Sequence, residues 1–139
     1  MEQKDYLMRY FEQMGIVLAA LLGFRKKGDG KGGLEVINEA LKDMTRMDSQ
    51  ELNAVPEELL VSELTVKRNL LPDQIKFIAE MLFQEAEFYG MDDRPDEAFL
   101  RYRKTYLLYR YIDEKEKTWS QEQADRMKLL ERMTRLADK

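Results

Sequence analysis

Cysteine and histidine are both missing from these 139 residues. Without them no disulfide, thiolate nucleophile or cysteine–histidine zinc site can form, and the commonest general base and metal ligand is gone as well. Serine–histidine and cysteine–histidine catalysis are excluded, whereas chemistry through carboxylates or lysines is not. Proline is scarce, at three residues, and four of the seven glycines crowd into one stretch, Gly28, Gly30, Gly32 and Gly33. Long segments are therefore free to be helical. A strong charge of one sign is also lacking. The net charge of −4 argues against nucleic-acid binding through bulk charge, which needs many Lys and Arg on one face. The apolar run at residues 15–24 is about half the ~20 residues a membrane helix needs, and the N-terminus shows no secretory signal. The expectation is a cytoplasmic protein with neither a membrane nor a nucleic acid as partner.

What is present is apolar periodicity. Apolar residues make up 44% and charged residues 36%, a composition that can bury a core in a single domain spanning residues 1–139. Spacings of three and four recur throughout. They predict a first helix over residues 4–24 with Tyr6, Leu7, Tyr10, Met14, Val17, Leu18, Leu21 and Leu22 on its buried face. Gly15, Ala19 and Gly23, four apart, form a stripe expected to pack closely inside the domain. A flexible basic turn at 25–33 leads to a second helix over 34–47, buried through Leu34, Ile37, Leu41 and Met44. Asp48 and Glu51 have capping-box spacing. A third helix starts at Pro56, carries Leu59, Leu60, Leu64 and Val66, and ends near Asn69.

Pro72 and Pro95 open a fourth helix, to Gly90, and a fifth, to Lys115. Ser120 and Gln123 cap a sixth, buried through Leu129, Leu130, Met133, Leu136 and Ala137. No segment alternates with period two, so no sheet is expected. The fold class is all-α, with about six antiparallel helices in three hairpins.

Several local patterns carry an alternative chemistry. Gly28, Gly30 and Gly33 match the dinucleotide-binding glycine pattern, but a helix precedes them where that fingerprint requires a strand, so no cofactor is expected. Arg25, Lys26, Lys27 and Lys31 beside the start of the second helix could hold an anion, although a solvated turn explains them. Asp92, Asp93, Asp96 and Glu97 cluster at the start of the fifth helix, where acids cap amides and oppose the macrodipole, and their spacing is not that of a calcium loop. Arg101, Arg103, Lys104 and Arg110 alternate with tyrosines. That pattern reads as core tyrosines with the arginines at the rim, paired to nearby acids.

Within residues 72–112, Ala86 is followed by Tyr89, then Ala98, Tyr102 and Thr105. This stretch resembles a tetratricopeptide-type repeat, in which small and large residues at these intervals let two antiparallel helices interlock. Leu82, Glu85 and Arg110 stand where the family favours tryptophan, leucine and proline. The whole chain also resembles a small uncharacterised bacterial family of all-helical proteins: a segment Asp5-Tyr-Leu-Met-Arg9, a Gly-rich turn and a late repeat-like hairpin. The resemblance implies a tetratricopeptide-like right-handed array whose concave face would carry Glu80, Phe83, Gln84 and Glu87. Two glutamates there imply a basic or apolar polypeptide partner.

The function expected is a non-enzymatic protein–protein interaction module using that helical groove. A second reading is a carboxylate-dependent enzyme or metal-binding bundle, which requires Glu80, Glu85, Glu87 or Asp96 to converge in a pocket. A third is a homo-oligomeric structural protein whose apolar patch is its own interface. No metal is expected.

Overall fold

The computed structural model describes the backbone of residues 2–117 and 120–137 and the side chains of residues 9–117 and 120–135. The expected core positions Tyr6, Leu7, Leu136 and Ala137 lie outside the described side chains. Among the described residues the chain is all-helical, with no strand: α1 (Glu2–Lys27), α2 (Gly30–Thr45), α3 (Ser49–Ala54), α4 (Glu57–Ser62), α5 (Pro72–Met91), α6 (Pro95–Glu116) and α7 (Gln121–Ala137). No helix in this set is long and apolar enough to cross a membrane.

The helix ends follow from side-chain chemistry. Asp29 accepts from the Gly32 amide and caps α2. Asp48 and Glu51 form the reciprocal capping box expected of them. The Gln123 amide donates to Ser120 Oγ at the start of α7. Two stops are made by non-glycine residues in the left-handed region, Arg46 at φ 61° and Lys117 at φ 53°, so α2 ends before the expected Met47. After α4 the backbone opens into a π turn at Glu63–Lys67, in which the Arg68 amide reaches the Glu63 carbonyl.

The basic stretch at 25–33 is not an extended turn. α1 runs to Lys27 and α2 starts at Gly30, leaving only Gly28 and Asp29 between them. The glycines are there for space. A Cβ on Gly33 would lie 2.4 Å from the Phe88 ring, and one on Gly32 would lie 2.5 Å from the Phe24 ring. These two positions let α2 sit directly against α5 and α1.

α5 is the axis of the molecule. Ile75, Phe77, Ile78, Ala79, Met81 and Leu82 are all buried with Leu21 of α1, Ile37 and Leu41 of α2, Leu60, Leu64, and Leu108 and Ile112 of α6. A second cluster joins Phe83 and Ala86 of α5 to Ala98 and Tyr102 of α6 and Leu130 of α7. The α5–α6 pair runs antiparallel: Lys76 pairs with Glu116, Glu80 accepts from Tyr109, and Glu85 pairs with Arg101.

Three expected core side chains are instead exposed, Leu22, Leu59 and Val66. Leu22 and Leu59 sit at the edge of their helices' apolar arcs, where periodicity alone does not say which neighbour arrives, and Val66 lies in the π turn, which breaks the α-helical spacing. The Gly15–Ala19–Gly23 stripe is likewise exposed, and a Cβ on Gly15 or Gly23 would meet nothing within 4 Å. It faces away from the domain interior.

Candidate functional site

The structure brings Glu80, Phe83, Gln84 and Glu87 together on one face of α5, but other parts of the chain occupy that face. Phe83 is 5% exposed and meets the Tyr102 ring edge-on at 5.8 Å. Arg126 of α7 lies over the Phe83 ring, 3.7 Å from its centroid, and its Nη1 donates to Glu80 Oε2 at 3.0 Å. Gln84 donates to Glu80 at 3.0 Å and accepts from Arg25 at the end of α1. Glu87 accepts from the Tyr102 hydroxyl. Burial and the adjoining carboxylates raise the Tyr102 and Tyr109 hydroxyls well above the ordinary tyrosine value. An anchor aromatic and its polar frame are thus satisfied within the chain.

On the opposite side of α5 is a buried polar junction. Glu85 is 1% and Arg101 7% exposed. Arg101 Nε donates to Glu85 Oε1 at 3.1 Å, and its Nη1 reaches Glu97 at 2.6 Å. Asn53 and Ser49 of α3 also donate to Glu85. Lys104 is buried beside this group and donates to the Asn53 carbonyl at 2.8 Å. Desolvation first, and then Arg101, lower its pKa. Arg101, expected at the rim, is inside, and Lys104 is buried with it. Their charge and hydrogen-bonding capacity go into fastening α3 to the α5–α6 pair, as buried charge requires.

The carboxylates required for a metal bundle lie apart. Glu80 faces α7, Glu85 faces α3, Glu87 is held by Tyr102, and Asp96 is exposed. Among the described residues no three acids converge.

An open concavity lies between α1 and α2, with a volume of about 580 Å³. Val17 and Phe24 of α1 and Val36, Ala40 and Met44 of α2 give it an apolar floor. Glu35, Glu39 and Asp43, spaced four apart, form one wall and are exposed. Like charges at that spacing are unfavourable along a helix. Only Glu39 has a weak local pair, Lys42 at 3.7 Å, and among the described residues Glu35 and Asp43 have none. The sequence missed this groove. Its signal was present in the Glu35–Glu39–Asp43 period beside Val36 and Ala40, but only the packing of α1 on α2 turns a helix face into a trough.

Comparison with protein-family models, with curated proteins and with solved structures yields no match.

Proposed function

We propose that this protein is a non-enzymatic interaction module that binds a polypeptide through a helical groove, the trough between α1 and α2. The observation that carries this reading is the pairing of an apolar floor with an acidic wall. A partner helix with one apolar face and a row of Lys or Arg beside it would bury its apolar side on Val17, Phe24 and Val36. It would also set positive charge against Glu35, Glu39 and Asp43. This keeps the basic or apolar partner chemistry expected from the sequence and moves it to a different face. The Ala86, Ala98 and Tyr102 packing of α5 against α6 supports a tetratricopeptide-like array as part of the same proposal, with α7 lying over the face such an array would leave concave.

The test uses a fluorescent amphipathic helical peptide of Leu and Lys and its Leu–Glu counterpart. The basic peptide should bind, weaken with salt, and lose at least about tenfold in affinity for Glu35→Lys/Glu39→Lys/Asp43→Lys. Equal binding of the two peptides, or equal binding to the variant, would refute the reading.

A further inference from the structure

The groove uses one flank of α1, and among the described residues the opposite flank is exposed. At 100° per residue, the exposed positions of α1 span half its circumference. Along the centre line of that arc run Glu12, Gly15, Ala19, Gly23 and Lys26, all exposed. Phe11 (73% exposed) and Leu22 (51%) flank it on one side, and Ile16 (62%) on the other. No charged residue occurs between Glu12 and Arg25. A helix face uncharged from Gln13 to Phe24, with Ile16 and Leu22 exposed beside it and Phe11 at its end, marks an interaction surface.

We propose that this face joins two copies of the chain, antiparallel, about a two-fold axis at Ala19. The two charges on the centre line select this occupant. Glu12 and Lys26 lie seven residues to either side of Ala19, one acidic and one basic, and among the described residues neither has an ion pair. Turning one copy end over end about Ala19 sets Glu12 of each chain opposite Lys26 of the other, twice over, as an isologous contact requires. A parallel pairing would set Glu12 against Glu12 and Lys26 against Lys26. The same rotation brings Gly15 of one chain near Gly23 of its partner. Because nothing occupies the space over these two glycines, the helices can approach to the short end of the 8–10 Å range. The large side chains then close the two sides. Phe11 and Leu22 meet the same pair from the partner, as do Ile16 and Ala20.

This surface is separate from the α1–α2 groove, so either can fail without the other. Sedimentation equilibrium of the full chain should give a monomer–dimer equilibrium with a dissociation constant on the order of micromolar, as expected for a small interface. Glu12→Lys and Lys26→Glu should each weaken it about tenfold, and the double reversal Glu12→Lys/Lys26→Glu should restore it. Ala19→Arg should give a monomer with an unchanged far-ultraviolet circular dichroism spectrum. A wild-type chain that stays monomeric up to hundreds of micromolar would overturn the proposal. So would a dimer indifferent to Ala19→Arg, or one weakened by both single reversals and weakened further by the double.

Discussion

Arg126 of α7 lies face-on over Phe83 of α5, 3.7 Å from the ring centroid, while the same guanidinium bonds to Glu80. This contact makes Phe83, expected on an open concave face, a core residue. Phe83→Ala should therefore cost about 3–5 kcal/mol of stability, the usual range for a buried Phe, and Glu80→Lys should destabilise by placing a cation against Arg126. Urea denaturation would show both as lower midpoints. Unchanged midpoints would return this face to solvent and to the list of binding surfaces.

Ala98 is 5% exposed and packs with Ala86, Phe83 and Tyr102. Ala98→Leu should overpack this junction and cost roughly 1–3 kcal/mol, read as a drop in thermal midpoint.

The Glu85–Arg101 pair should show the asymmetry of a buried salt bridge. Removing one partner, as Arg101→Ala or Glu85→Ala, should cost about 3–5 kcal/mol. Glu85→Leu/Arg101→Leu together should cost less than the sum of the two single changes to Leu. A double-mutant cycle measures this, and additivity would mean the pair is solvated.

Two glycine substitutions should have opposite signs. Gly90 lies in α5 with nothing within 4 Å of an added Cβ, so Gly90→Ala should gain up to about 1 kcal/mol from helix propensity. Gly33→Ala should lose stability, because its Cβ would meet three Phe88 ring atoms at 2.4–2.8 Å. Thermal melts of the two variants side by side provide the comparison.

Alkaline pH should unfold the protein through its tyrosines. Tyr102 and Tyr109 are raised above the ordinary value of 10.0 by burial and by carboxylate partners. Their contribution is fully present below pH 10 and is lost above it, where only the unfolded chain ionises. Lys104 acts with the opposite sign. Its pKa is lowered from 10.5 by burial, so its penalty is full at neutral pH and relaxes as pH rises towards 10.5. Two tyrosines against one lysine leave a net fall in stability above about pH 10. Phenolate absorbance at these two positions should appear with the unfolding transition; a separate, earlier titration would show that they are accessible.

Much of the architecture was legible in the chain. Helix spacing, the Asp48–Glu51 box, and the prolines at 72 and 95 gave the all-helical class and the principal boundaries. The Gly-rich stretch reads as a turn because glycine in a helix is rare unless a neighbour needs the space, and the neighbour, Phe88, is more than fifty positions away in sequence. Arg46 and Lys117 stop their helices without the glycine that would have announced it. The site was less legible still. Glu80, Phe83, Gln84 and Glu87 do share a face, but which face a helix leaves open depends on where α7 and the end of α1 come to rest. The orientation of the Gly15–Ala19–Gly23 stripe was lost for the same reason. Period identifies a stripe, and only its neighbours decide whether it looks inward.

The three-residue turn between α5 and α6 also bears on time. These closely packed helices are adjacent in the chain, so their docking closes a short loop and should precede the sequence-distant contacts that α1, α2 and α7 make with α5. Stopped-flow refolding would then separate the elements. Ala98→Leu, within the early pair, should slow the folding limb, whereas Leu130→Ala on α7 should act almost wholly by speeding unfolding. The last helix to arrive is in that case the first to leave, and the rate at which Phe83 meets water is set by α7 and not by the stability of the whole.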